Sequence, residues 1–178
     1  TLQGSQDVVG AEYVDSFKDH LFFAKGNTVV VTAPFDETSF SAALGAASYR
    51  LPNECTGLKA FRDQLINFTE TNITRISGSS SADWRLDPIT NGIGCVQGDT
   101  VQEVGGDILF LAPDGIRFLG ATDRIGDFSL ALASRQIQED FQDYVSPDSK
   151  YCSLLIREKN QYRLMKYVST TNKQNTIG

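Results

Sequence analysis

An internal period of 44 residues constrains this chain more than any other feature. Asp19-His20-Leu21-Phe22-Phe23, Asp63-Gln64-Leu65-Ile66-Asn67-Phe68 and Asp107-Ile108-Leu109-Phe110-Leu111 align with their leading aspartates 44 residues apart. One more step reaches residue 151, in the β-rich run Tyr151-Cys152-Ser153-Leu154-Leu155-Ile156. Self-similarity at a fixed spacing of this size marks an architecture of stacked units.

Each run is followed by a turn and a second apolar stretch. The turns are Lys25-Gly26-Asn27, Glu70-Thr71-Asn72, Pro113-Asp114-Gly115 and Glu158-Lys159-Asn160. Gly, Asn and Asp tolerate the left-handed backbone that tight hairpins need. The second strands are expected at 28–32, 73–77, 116–119 and 162–167. Ile73-Thr74-Arg75-Ile76 and Tyr162-Arg163-Leu164-Met165 partly alternate, as half-buried strands do, whereas the first strands are more continuously apolar and suit burial on both faces. A strand precedes each of the first three hairpins (14–18, 57–61 and 100–104), and candidates for a fourth follow the first two (48–51 and 83–87). Three or four antiparallel strands per unit, too small to bury both faces alone, predict an all-β chain of β-propeller blades. Residues 1–178 read as a single propeller segment. With no initiator Met and no evident ending at Thr176-Ile177-Gly178, the chain is expected to be a piece of a longer one or a processed product.

Three segments fit less well. Leu130, Ile137, Phe141 and Tyr144 fall at helical steps, which predicts one amphipathic helix near 132–144. It packs on a blade edge or docks on a partner subunit. Gly78-Ser79-Ser80-Ser81 is expected to be a flexible loop, and the Ala/Ser-rich stretch 35–48 an irregular outer loop.

Composition narrows the function classes. With 40% apolar and 21% charged residues, the chain has the balance of a folded protein. Its net charge of −6 disfavours gripping nucleic acid by phosphates. No apolar run is long enough for a membrane span, and Thr1-Leu2-Gln3-Gly4-Ser5 has no signal-peptide character.

Little in the sequence points to catalysis. There is no phosphate-loop pattern and no nucleophile-elbow glycine pair. With one histidine, any Ser/His/Asp or Cys/His site must use His20, which lies beside Asp19 at a strand edge, where a hydrogen-bonded structural histidine is the ordinary case. Asp99/Glu103 and Asp123/Asp127 have no spacing that singles them out as a carboxylate pair. Asp19, Asp63 and Asp107 are read as turn-capping residues at strand starts, not calcium ligands, because no DxDxDG loop is present. Trp84 and Arg85 follow the Ser-rich loop; packing between blades is favoured for Trp84 over stacking on a sugar. Cys55, Cys95 and Cys152 are distant in sequence, lack CxxC spacing and read as free, mostly buried thiols. No catalytic, cofactor-binding or metal-binding residue is assigned, and no cofactor is expected.

Two stretches carry a family resemblance. Thr56-Gly57-Leu58-Lys59-Ala60-Phe61-Arg62-Asp63-Gln64-Leu65-Ile66-Asn67-Phe68-Thr69 resembles a line of propeller-bearing bacteriophage tail proteins. So does Ile93-Gly94-Cys95-Val96 through Gly105-Gly106-Asp107 to Arg117, and Ile125-Gly126-Asp127 to Gln138 is similar to the same proteins of marine and cyanobacterial phages. The match is clearest over 56–145 and most like the nozzle, or tubular tail, protein of short-tailed phages. The resemblance implies a non-enzymatic virion structural protein in the DNA ejection conduit, assembled in the host cytoplasm. It implies as partners the adaptor, the portal-proximal ring, the fibres and further copies of the chain, six to a ring in that family. Viral DNA would pass without specific binding. The alternative is a receptor- or glycan-binding propeller module of a tail fibre or baseplate. A propeller glycosidase would need convergent carboxylates that the sequence does not display.

Overall fold

The computed structural model describes residues 8–120, 129–132, 141, 144–146, 149–168 and 173–177. The protein is all-β: strand makes up 58% of it and helix almost none, arranged as several antiparallel sheets. Two compact units divide the chain, Thr1–Gly94 and Cys95–Gly178.

The first unit holds two four-stranded sheets, each a meander in which every strand pairs with the one before it. The first contains β1 (Tyr13–Phe17), β2 (His20–Lys25), β3 (Thr28–Val31) and β4 (Ala47–Arg50). The second contains β5 (Cys55–Phe61), β6 (Gln64–Thr69), β7 (Asn72–Ser77) and β8 (Arg85–Asn91). One core joins them: Phe17, Phe22, Ala24, Val29 and Val31 from the first sheet meet Cys55, Leu65, Ile76 and Trp84. Polar contacts fix the alignment, with Ala60 N–H donating to Asp15 Oδ2 at 2.7 Å and Lys18 Nζ 3.4 Å from Asp63. Burying a side chain such as Phe22 or Leu65, both 0% exposed, contributes about 1.5–3 kcal/mol.

The second unit repeats the plan. Its first sheet is β9 (Gln102–Val104), β10 (Asp107–Ala112), β11 (Gly115–Gly120) and β12 (Ser129–Leu132); its second is β13 (Ser149–Ile156), β14 (Gln161–Val168) and β15 (Lys173–Ile177). Leu111, Tyr151 and Leu164 share a core with Phe141 and Tyr144. Tyr151 N–H donates to Gln97 Oε1 at 2.8 Å, and the Tyr162 hydroxyl donates to the Thr100 carbonyl at 2.9 Å.

The structure refines the repeat. The two-residue turns before β2, β6 and β10 are Lys18-Asp19, Arg62-Asp63 and Gly105-Gly106, so the period is 44 residues and then 43. Asp107 is therefore not the equivalent of Asp19 and Asp63. It is the first residue of β10 and its Oδ1 accepts the N–H of Ile108 at 2.7 Å, whereas Asp19 and Asp63 sit in the turns themselves. Burial on both faces holds for β6 and β10 but not for β2, whose outward residues Leu21 and Phe23 stay half-buried.

Two strands escaped the sequence reading. Leu130, assigned there to a helical stripe, pairs with Leu119 in β12, and Leu132 ends the same strand. Phe141 and Tyr144 are helical, while 133–140 and 142–143 of the expected helix lie outside the described residues. β15 follows where the fourth unit was expected to stop; its polar Lys173-Gln174-Asn175 hides it from an apolar pattern.

Candidate functional site

The residues with most chemical potential gather at one corner of the first sheet. Lys18 and Asp19 both take left-handed backbone (φ 47° and 64°), the geometry of a tight two-residue hairpin. That turn makes His20 the first residue of β2, on the same inward face as Phe22 and Ala24. Thr32, just past β3, closes the corner. Its N–H donates to the Leu21 carbonyl at 3.0 Å, and its hydroxyl oxygen accepts the Leu21 N–H at 3.0 Å.

His20 is only 5% exposed and donates from Nδ1 to the Thr32 carbonyl at 2.6 Å. This bond fixes the neutral ring as the Nδ1–H form, leaving Nε2 an acceptor. The other side of the ring meets Trp84 edge-on, with centroids 4.6 Å apart and an interplanar angle of 68°.

A tight loop folds over the same corner. Phe35 N–H donates to the Asp19 carbonyl at 2.9 Å, and Ala33 N–H to the Ser39 carbonyl at 2.8 Å. Phe35 is held at φ 57° with its ring 83% exposed. Left-handed backbone is costly for an aromatic residue. The Asp36 carboxylate accepts both the N–H and the hydroxyl of Thr38, at 3.1 and 2.8 Å. Between loop and hairpin lies an open cleft of about 360 Å³, lined among others by Ser16, Asp19, His20, Phe35, Asp36 and Glu37.

The cleft does not assemble a nucleophile relay. The partner that orients His20 is a backbone carbonyl, and among the described residues His20 bonds to no serine, cysteine or carboxylate. Asp99 and Glu103 are exposed on a short 3-10 turn and on β9, and Asp123 and Asp127 lie outside the described residues. Among the described residues no group of three or more His, Cys, Asp or Glu side chains is placed to hold a metal.

The other singled-out residues have structural places. Trp84 is buried in the core between the two sheets of the first unit, while Arg85 points to solvent. The Ser-rich loop is tied by one carboxylate: Asp83 accepts the N–H groups of Ser79 and Ser80, the latter at 2.6 Å, and the Ser79 hydroxyl. These bonds, the Ser79 N–H foremost, hold its carboxyl well below the usual carboxylate range. All three cysteines are free thiols; Cys55 and Cys95 are buried and Cys152 is exposed, in line with the expectation of mostly buried thiols. Burial pushes the Cys55 thiol up to about 11.

Sequence reasoning missed Phe35, Asp36 and Glu37, which it left in an irregular loop. The available signal was an aromatic set beside two acidic residues in a segment otherwise rich in Ala and Ser.

No protein-family model matches the chain, and no curated protein does. Among solved structures it is similar to the N-terminal domain of Nup159, with a TM-score of 0.45 and 10% identity over 99% of this chain and 45% of that one. It is similar also to a Bacteroides fragilis protein described as exported, with a TM-score of 0.40 and 11% identity over 99% of this chain and 61% of that one. The chain thus spans less than two thirds of either structure's length. Among the described residues, no helix is long and apolar enough to cross a membrane.

Proposed function

We propose that the chain is a run of β-propeller blades in a non-enzymatic structural protein of a bacteriophage tail, of the nozzle or tail-tube kind. The observation that carries this reading is the series of consecutive meander sheets, with their leading hairpins set 44 and 43 residues apart. Repeated meanders at this spacing are how propeller blades are built. The step from propeller to tail rests on the resemblance over 56–145. In this reading copies of the chain assemble into a ring on the ejection conduit, beside the adaptor, portal-proximal and fibre proteins. The net charge of −6 keeps passing DNA from sticking, because phosphates meet like charge.

The test is immunogold labelling of intact particles with an antibody raised against this chain. Gold at the tail supports the reading; unlabelled particles, or gold on the capsid shell, overturn it. The charge argument has its own check, since the purified protein should not retain DNA at physiological salt.

The exposed ring of Phe35 favours a second reading, a receptor- or glycan-binding module of a fibre or baseplate, because sugar faces stack on exposed aromatics. Saturable binding to host-surface glycans would select it.

A further inference from the structure

We infer that the side chains of Gln97 and Gln102 guard the open edge of β13, holding its backbone groups so that a second copy of the chain does not pair with it. The guard stands independently of the tail assignment.

The edge calls for one. β2, β6, β10 and β13 begin at residues 20, 64, 107 and 149 and hold corresponding places in the four sheets. A first strand pairs with each of the first three, β1 with β2, β5 with β6 and β9 with β10, whereas β13 is itself an edge strand of its sheet. An edge strand offers N–H and C=O groups to any chain that meets it. The sequence of β13 makes this edge adhesive. Tyr151-Cys152-Ser153-Leu154-Leu155-Ile156 holds no charge, proline or glycine, the composition of segments that pair between molecules. Charges stand only at its borders, at Lys150 and Arg157. Leu154, 53% exposed, and Cys152 add exposed apolar surface.

Two carboxamides take the edge as the peptide groups of a strand would. Tyr151 and Ser153, two residues apart, turn their backbone groups to the same side. The Tyr151 N–H donates to Gln97 Oε1 at 2.8 Å, and Gln102 Nε2 donates to the Ser153 carbonyl at 3.2 Å. A glutamine side chain carries the same C=O and N–H as a peptide unit, but no backbone that could template a further strand. The Ser153 hydroxyl adds a third tie by donating to the Asp99 carbonyl at 3.3 Å. The glutamines are themselves held. Gln97 Nε2 donates to Asp99 Oδ2 at 3.4 Å, which leaves Oε1 for β13, and the Gln97 carbonyl accepts the Thr100 hydroxyl at 2.6 Å. Gln102 is fixed by the pairing of β9 with β10, opposite Leu109. The two bonds to β13 span 54 and 51 residues, so the guard is in place only once the second unit has folded.

Symmetry identifies the partner that is kept off. Two β13 edges laid antiparallel about Cys152 set Tyr151 of each copy opposite the partner's Ser153, with each N–H facing a C=O. The same register sets Cys152 opposite the partner's Cys152.

The experiment compares the wild-type chain with Gln97→Met/Gln102→Met, which keeps side-chain length and removes both carboxamides. Urea unfolding checks that each variant is folded under the assay conditions. Amide exchange of Tyr151, sedimentation velocity over a concentration series and cross-linking with a short bismaleimide are then measured. The expected result is Tyr151 exchange at least tenfold faster, and dimers at concentrations at least tenfold below those at which the wild type associates. The dimers should be cross-linked from Cys152 to Cys152. Adding Leu154→Lys, which puts a charge on the exposed strand, should return the double variant to wild-type sedimentation. Where the double variant does not fold, Gln97→Met alone is read in its place with the same signs. Unchanged Tyr151 exchange, a folded variant that sediments as the wild type does, or association that neither cross-links through Cys152 nor yields to Leu154→Lys would each overturn the inference.

Discussion

The ring of Trp84 packs edge-on against His20 with centroids 4.6 Å apart, so the chain's single tryptophan and single histidine form one contact. Phe17 and Phe22 complete the cluster, at 6.3 and 5.2 Å from Trp84. The contact couples the inner face of β2 to the segment that leads into β8. The indole Nε1 is buried with no hydrogen-bond partner among the described residues. Trp84 therefore stabilises by volume and ring contact rather than through its N–H. Trp84→Phe, which removes the unsatisfied donor along with part of the ring, should cost about 1–2 kcal/mol, and Trp84→Ala about 3–5 kcal/mol. Urea unfolding followed by circular dichroism measures both. Equal losses would show that the indole N–H has a partner after all.

Gly94 ends the first unit, and a side chain there meets backbone. A Cβ at this position would run into the carbonyl oxygen of Thr69 and lie 2.6 Å from that of Glu70. Neither can swing aside as a side-chain tip could. Gly94→Ala should destabilise by about 3 kcal/mol. Gly92→Ala makes a useful contrast, because its Cβ meets nothing within 4 Å and its cost comes from its φ of 93° alone. Chemical denaturation of the two variants should place Gly94→Ala well below Gly92→Ala.

Asp83 makes the Ser-rich loop sensitive to acid. Its folded carboxyl titrates below the unfolded value of about 3.9, so its contribution is complete above that pH and is lost as the pH falls through the folded value. Amide exchange of Ser79 and Ser80, corrected for intrinsic rates, should speed up as the pH drops below about 4. Asp83→Asn should remove most of that pH dependence while leaving exchange in β6 unchanged.

The cysteines give a test of packing in both units. Cys152 is exposed, whereas Cys55 and Cys95 are 4% and 0% exposed and the Cys55 thiol is raised to about 11. Near pH 7.5 a thiol reagent should modify Cys152 promptly. It should reach the other two only after unfolding, since the thiolate is the reactive form and burial opposes it. Mass spectrometry of peptides from the labelled protein identifies the modified residue. Prompt labelling of Cys55 would contradict the core that joins the first two sheets.

Much of the fold was legible because its pattern is local. Apolar runs such as Leu65–Phe68 and Ile108–Leu111, each followed by a tight turn, mark inner hairpins whatever the tertiary context. The outer strands were harder to read. Leu130 fits helical spacing as well as it fits β12, and only pairing with Leu119 decides between them. Lys173–Ile177 carries almost no apolar signal and is drawn into β15 by the adjacent edge of β14. The cleft was not legible at all. It exists because the Phe35 N–H reaches back 16 residues to the Asp19 carbonyl, a closure that no residue spacing announces.

The most direct test of the central claim is electron cryo-microscopy of the intact phage particle at side-chain resolution. The account predicts density for this chain in the tail, its sheets set radially as propeller blades, in several symmetry-related copies around the DNA channel. Density for the chain outside the tail, or sheets that stack without circling a common axis, would contradict it.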